Sequence, residues 1–307
     1  MNSETPASLP IASVERETGL SKDTLRVWER RYGFPTPARD DNGERLYTVA
    51  QVQRLSQIKR LMDRGHRPGK LLMLDEPALN ALDAPIPALH VQGNTHQLDQ
   101  WMRLVETHDH EAMTQLFQRA LIKQGMESFI QDTVAPLISR VGESWARNQI
   151  GVFEEHLFSQ HLEKLLRGAL AGIALTAGRP RVLLTTLSGE EHTLGLLMVE
   201  ALLTVHDAYP ILLGPQTPIA EIVRAAAAKE TDVVCLSFSS AYSLTQMING
   251  LQDLRRALPR HVRLWAGGHG VKSLRKPLEG VDLVPEFADL FACLNATRDA
   301  KVIQLAK

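Results

Sequence analysis

From Pro180 to the end of this 307-residue chain, short apolar runs alternate with helical ones. Strand-like runs at 182–186, 208–213, 233–237, 262–266 and 281–284 are separated by helical patterns at 194–205, 218–228, 244–258 and 271–276, and 287–294 closes the series. Five short β-branched or leucine-rich strands with intervening helices predict a parallel sheet covered on both faces, a doubly wound α/β domain over 178–307. Ligands of such sheets sit beyond the carboxyl ends of the strands. The loop Ser188-Gly189-Glu190-Glu191-His192-Thr193-Leu194-Gly195 follows the first strand and opens the first helix, so His192 is presented where such folds bind things.

A neutral imidazole is a good ligand for a borderline transition metal, and a carboxylate on its far nitrogen fixes the tautomer and raises its basicity. Glu190 supplies such a carboxylate two residues earlier, and Gly195 lets a bulky group approach the backbone. Forty-one residues separate Gly195 from Ser237-Phe238-Ser239, and 27 separate Ser239 from Gly267-Gly268. This order and spacing resemble the Rossmann-like cobalamin-binding domains of methionine synthase and the corrinoid mutases, Asp-x-His-x-x-Gly, Ser-x-Leu and Gly-Gly. The resemblance implies His192 as the lower axial ligand of cobalt, with Ser237, Ser239, Gly267 and Gly268 lining the slot for the displaced nucleotide tail. The chain departs twice, with Glu190 for aspartate and Ser239 for leucine.

The first 72 residues read differently. A short helix from Leu9 stops at Gly19, Ser21 caps a second helix over 22–32, and Asn42-Gly43 is a strong hairpin signal before a helix over 49–64. Two short helices and a hairpin make a winged helix-turn-helix candidate. Between 10 and 72 there are 13 Lys or Arg against 8 Asp or Glu, a local surplus in a chain whose formal charge is −1. The string Thr24-Leu25-Arg26-Val27-Trp28-Glu29-Arg30-Arg31-Tyr32-Gly33-Phe34-Pro35, followed by Arg39, Gly43, Arg45, Leu46 and Tyr47, resembles the DNA-binding domain of MerR-type regulators. By that resemblance the 22–32 helix, with Lys22, Thr24, Arg26, Arg30 and Arg31, enters the major groove, while Arg39, Arg45 and Tyr47 hold phosphates from the wing. Helical spacing makes Trp28 a core residue. The prolines at 77, 85 and 87 break any long dimerisation helix and predict a linker over 73–92.

Residues 93–177 carry helical patterns at 98–107, 110–124, 126–148 and 153–175, an antiparallel four-helix bundle. Thr107-His108-Asp109-His110-Glu111 is read as a helix start with a negative first turn rather than a metal site. Trp145, Glu155 and His156, spaced as Trp-x9-Glu-His, match the bundle signature of the CarH-type cobalamin photoreceptors. That family implies a bundle capping the upper face of adenosylcobalamin. By the same resemblance Trp145 is expected to pack on the adenosyl group, Glu155 to hydrogen-bond it, and His156 to take its place on cobalt after light breaks the Co–C bond.

Two cysteines without C-x-x-C spacing, no signal peptide and no apolar run near 20 residues fit a soluble cytoplasmic protein. The resemblance implies a non-enzymatic, light-responsive transcriptional regulator, a repressor whose dark homotetramer occupies operator DNA and separates when the adenosyl group is lost. Two other readings stand beside it. A corrinoid carrier for a methyltransferase fits 93–300 alone, and a MerR-type regulator of this build can answer to cobalamin abundance or to a protein partner.

Overall fold

A computed structural model describes residues 8–63, 66–83, 95–147, 149–173 and 178–305. The chain divides into two compact units, 1–86 and 87–307.

In the first unit, β1 (Ser8–Pro10) leads into α1 (Ile11–Thr18), α2 (Lys22–Tyr32), β2 (Ala38–Arg39), β3 (Arg45–Thr48), α3 (Val49–Asp63), α4 (Pro68–Leu71) and α5 (Glu76–Asp83). Gly19 at φ +68 and Gly33 at φ +69 end α1 and α2 in the left-handed conformation that glycine adopts without strain. Ser21 Oγ accepts the Thr24 N–H at 3.1 Å and caps α2. The expected hairpin is present. Asp40 Oδ1 accepts the N–H groups of Asn42 and Glu44, Gly43 takes φ +80, and β2 pairs antiparallel with β3. The first helix starts later than the sequence suggests, because Ser8–Pro10 pairs instead with β3, giving sheet order β1-β3-β2. Val14, Leu25, Tyr47, Leu55, Ile58 and Leu61 are fully buried, and Trp28 joins them at 5 % exposure.

The linker expected over 73–92 is corrected in its first half. Glu76–Asp83 is helical, with Pro77 in the first turn, where its missing N–H costs nothing. Leu79 is fully buried in the core of the first unit, and Gln57 Nε2 donates to Asn80 Oδ1 at 2.7 Å. Residues 84–92 lie outside the described residues, as do Arg64 and Gly65 at the expected end of α3.

The second unit opens with a helical bundle. It comprises α6 (Thr95–Glu106), α7 (His110–Gln124), α8 (Met126–Phe129), a π-helical turn at Ile130–Val134, α9 (Ala135–Ala146) and α10 (Val152–Ala171). The helix expected over 126–148 is thus interrupted. Pro136 has no N–H for the i−4 carbonyl, and the wider π turn ahead of it absorbs the mismatch. Asp109 caps α7 by accepting the Ala112 N–H at 2.9 Å, in keeping with 107–111 as a helix start. Among the described residues no cluster of three or more metal-type side chains occurs. Trp101, Phe117 and Phe129 meet edge to face at 4.9 and 4.8 Å in the bundle core.

The sheet follows as β4 (Arg181–Leu187), α11 (Leu194–Val205), β5 (Tyr209–Thr217), α12 (Ile219–Ala228), β6 (Val233–Ser237), α13 (Leu244–Ala257), β7 (Arg263–Gly267), β8 (Asp282–Val284) and α14 (Phe287–Leu305). All strands are parallel in the order β5-β4-β6-β7-β8. Where a helix was expected at 271–276 there is a 3₁₀ turn, His269–Ser273. Helices α12 and α13 cover one face, while α11 and α14 cover the other with Ile130 of the bundle. Leu197 of α11 packs into the bundle core, so bundle and sheet share buried surface. From β4 the chain moves outward to β5 and then back across to β6, so the crevice lies beyond the carboxyl ends of β4 and β6.

Candidate functional site

At that crevice β4 ends, the chain turns through Gly189 at φ +86, and Glu190 folds inward to 1 % exposure. Four hydrogen bonds converge on its carboxylate. Oε1 accepts from His192 Nδ1 at 2.6 Å and the His192 N–H at 3.1 Å, and Oε2 accepts from the N–H and the hydroxyl of Ser239, both at 2.8 Å. Burial alone would raise the Glu190 pKa, but the His192 bond and charge, with the backbone N–H groups of Ser239 and His192, outweigh it and lower the pKa. The bond to Glu190 raises the pKa of His192 against burial, and the charges of Glu190, Glu155 and Glu191 add to it.

A carboxylate can only accept, so Nδ1 carries the proton and the neutral ring offers its lone pair at Nε2. The side chain is 63 % exposed, so Nε2 faces outward from a fixed ring. The two departures from the cobalamin-binding pattern meet in this contact. Glutamate reaches one methylene further than aspartate, and Ser239 supplies a hydroxyl where leucine would supply none.

The floor of the crevice is backbone. A Cβ on Gly195 would stand 2.5 Å from Ser237 Oγ, and one on Gly270 would stand 2.5 Å from the Ser239 carbonyl oxygen. At Gly268, φ +89 and ψ 175 already exclude other residues, and a Cβ there would overlap the Phe238 carbonyl oxygen. Gly267 pairs with Ser237 across β6 and β7. The structure thus draws Glu190, His192, Gly195, Ser237, Ser239, Gly267 and Gly268 together from three separate loops. Gly270 was missed in the sequence, although it stands two residues beyond the glycine pair, and so was Tyr242, whose hydroxyl donates to the Ser188 carbonyl at 3.1 Å.

On the bundle side, Glu155 and His156 occupy the first turn of α10, after Gly151, whose N–H donates to Glu154 at 2.8 Å. Glu155 accepts from Ser159 Oγ at 2.6 Å and from His156 Nδ1 at 2.8 Å, a second glutamate-oriented imidazole, 72 % exposed. Trp145 is half-buried against the bundle core. Further along α10, Glu163 accepts from Thr193 at 3.3 Å and ties the helix to the residue after His192. Val152, Phe153 and Leu157 are exposed at the same end of α10.

Family models place these features. A MerR HTH family regulatory protein model matches residues 9–71, and B12 binding domain models match 97–167 and 180–291. The HTH-type transcriptional repressor CarH of Myxococcus xanthus is 30 % identical over 260 residues, spanning 83 % of this chain and 87 % of that protein. The chain belongs to the CarH family of MerR-type regulators. A second relative, the repressor CarA of the same organism, is 28 % identical over 298 residues, 96 % of this chain and 99 % of that protein. The monomethylamine corrinoid protein of Methanosarcina barkeri superposes with a TM-score of 0.53 at 18 % identity, covering 66 % of this chain and all of that one, a likeness of fold. The protein is a cobalamin-binding MerR-type regulator, and no helix among the described residues is long and apolar enough to cross a membrane.

The residues at the crevice fit the cofactor of such a family. One imidazole, oriented by a buried carboxylate and presenting Nε2, suits a borderline metal such as cobalt, and glycines at 195, 268 and 270 keep the loops around it thin.

In the DNA-binding unit, Lys22, Arg26 and Arg30 follow at intervals of four on α2 and form one row. Arg26, Arg30, Arg31 and Arg39 are exposed and Thr24 is half-buried. Arg39 donates to the Gly43 carbonyl at 2.9 Å within the wing. Two expectations for the wing are corrected. Tyr47 has no exposed surface and its hydroxyl is enclosed in the core, so it does not reach a phosphate in this conformation. Arg45 is half-buried and donates to Glu29 Oε2 at 2.7 Å, holding wing to helix instead of projecting outward.

Proposed function

We propose that the protein is a light-responsive repressor that holds adenosylcobalamin between bundle and sheet and binds operator DNA through its N-terminal unit. The observation that carries the reading is the Glu190–His192 pair at the sheet's switch point, an imidazole held ready at Nε2. His192 would hold the cobalt, and Gly195, Ser237, Ser239, Gly267 and Gly268 would make room for the nucleotide tail. Trp145 would shield the adenosyl group, Glu155 would accept its hydrogen bonds, and His156 beside it would offer the imidazole that replaces it. The cofactor supplies a cobalt–carbon bond that visible light breaks.

Lys22, Thr24, Arg26, Arg30 and Arg31 read and hold the major groove, with Arg39 on a flanking phosphate. In the dark, copies of the chain assemble as a tetramer. Several weak winged heads joined in one particle gain affinity from effective concentration and lose it when the particle separates. The trigger therefore acts on a subunit contact and leaves the DNA reader unchanged. A methyl-carrier role is disfavoured by the DNA-binding unit, for which a carrier has no use.

The test is to load the full chain with adenosylcobalamin in darkness and follow colour, size and operator shift before and after green light, alongside His192→Ala. A coloured, larger, DNA-retaining dark form that dissociates on illumination supports the proposal. Operator binding indifferent to cofactor and light in both proteins contradicts it, and a response to cofactor without light favours a sensor of cobalamin abundance.

A further inference from the structure

The loop that carries His192 is gripped from the side opposite Ser239, and the grip begins with an irregularity in the edge strand. Strands β4 and β5 run in register to Leu184↔Leu212, then slip, so that Thr185 faces Gly214 and Leu187 faces Thr217. Three steps along β4 from Leu184 therefore match five along β5 from Leu212, an irregularity of the kind that re-aims a strand near a site. The extra length is taken up at Gly214, with φ +96, and at Gln216, a non-glycine residue at φ +56. A non-glycine residue in the left-handed region carries strain that persists where the surroundings hold it.

What holds it is Thr186. The Gln216 N–H, turned away from the regular ladder, donates to Thr186 Oγ1 at 2.8 Å, and the same hydroxyl donates its single proton to the Glu190 carbonyl oxygen at 2.6 Å. Thr186 has no exposed surface, so water does not substitute for either contact. The Gln216 side chain continues the grip, donating to Glu191 Oε1 at 3.2 Å. The neighbouring Thr185 hydroxyl ties back to the Gly214 carbonyl at 2.6 Å and fixes the bulge itself. Glu190 is thus held twice, its carboxylate by Ser239 and its backbone by Thr186.

We infer that Thr186 is a positioning residue for the cobalt ligand. Its hydroxyl couples the β5 bulge to the Glu190 backbone, and so sets where the Glu190 carboxylate holds the His192 ring. This rests on the proposed cofactor site. Outer-shell partners of a metal ligand typically change metal affinity by about 10–100-fold when removed, and Thr186 acts one bond further out through the backbone of such a partner, so the lower end of that range applies. Valine keeps the shape and the β-branch and leaves both the Gln216 N–H and the Glu190 carbonyl without a partner.

The experiment titrates full-length wild type, Thr186→Val, Thr186→Ser and Gln216→Gly with adenosylcobalamin in darkness. It reads the dissociation constant and the visible band that shifts to shorter wavelength when the lower ligand is lost. Thermal melting of each apoprotein serves as the folding control. The inference expects Thr186→Val to bind roughly tenfold more weakly with part of the bound cofactor showing the shifted band, Thr186→Ser to restore both, and Gln216→Gly, which keeps the backbone N–H, to stay near wild type. If Thr186→Val does not accumulate folded, Thr186→Cys replaces it under the same readings. A Thr186→Val protein with wild-type affinity and band overturns the inference. A wild-type protein that binds no corrinoid removes the cofactor site and the inference with it.

Discussion

Replacing Gly268 with alanine tests the close approach of the β6 and β7 loops, and its cost can be worked from the geometry. At φ +89 and ψ 175 the backbone lies in a region that only glycine populates, costing another residue about 1–3 kcal/mol. The new Cβ would also overlap the Phe238 carbonyl oxygen and stand 3.0 Å from its amide nitrogen. That oxygen is held in place by the Gly270 N–H at 2.9 Å, and the Phe238 N–H donates to Gly267 at 3.0 Å, so the loop cannot step aside without losing bonds. Overpacking of this kind adds about 1–3 kcal/mol. The sum, roughly 2–6 kcal/mol in a unit spanning residues 87–307, corresponds to a melting point lower by about 5–20 °C. Differential scanning calorimetry of the apoprotein reads it. Gly43→Ala is the control, because its φ of +80 is similar but nothing lies within 4 Å of the added carbon, and it should cost only about 1 kcal/mol, in the other unit. A Gly268→Ala protein melting within about 2 °C of wild type would refute the steric reasoning.

Arg26→Ala and Arg30→Ala should each weaken operator binding and, where the lost contact is to phosphate, reduce the slope of log K against log salt by about 0.9; unchanged affinity for both would remove α2 from the groove. Tyr47→Phe deletes a buried hydroxyl with no partner among the described residues, so stability should hold or rise by up to about 1 kcal/mol and DNA affinity should not change; a drop in affinity would restore Tyr47 to the phosphates. Burial pushes the Cys235 thiol up to about 12, leaving on the order of one thiolate in ten thousand at pH 8. Ellman's reagent should therefore leave Cys235 unmodified in the native chain and titrate both cysteines after unfolding; fast native labelling of Cys235 would contradict its burial.

Much of this was legible in the sequence because period and punctuation agreed. The α/β half was readable from its leucine-rich strands, and α7, α11 and β6 begin and end where their caps and apolar runs place them. The loop that pairs Glu190 with His192 was legible because the two stand only two residues apart. What the chain hid depends on partners far away. No local signal showed that Glu29 would claim Arg45 or that the core would enclose Tyr47. Pro136 marked the interruption of its helix but not the π turn that absorbs it, and α5 survives Pro77 because Leu79 completes a distant core. The β5 bulge was invisible, since Gly214, Pro215 and Gln216 read as an ordinary strand end and only pairing with β4 exposes the two extra residues.

The proposed cofactor site depends on one imidazole, His192, which would hold cobalt through Nε2. The most direct measurement is electron paramagnetic resonance of the protein-bound Co(II) corrinoid, prepared from chain labelled with ¹⁵N-histidine and from unlabelled chain. The superhyperfine splitting of the cobalt lines should change from three components to two on labelling in wild type, and His192→Ala should show no label-dependent splitting. Splitting that ignores the label, or persists unchanged in His192→Ala, would contradict it.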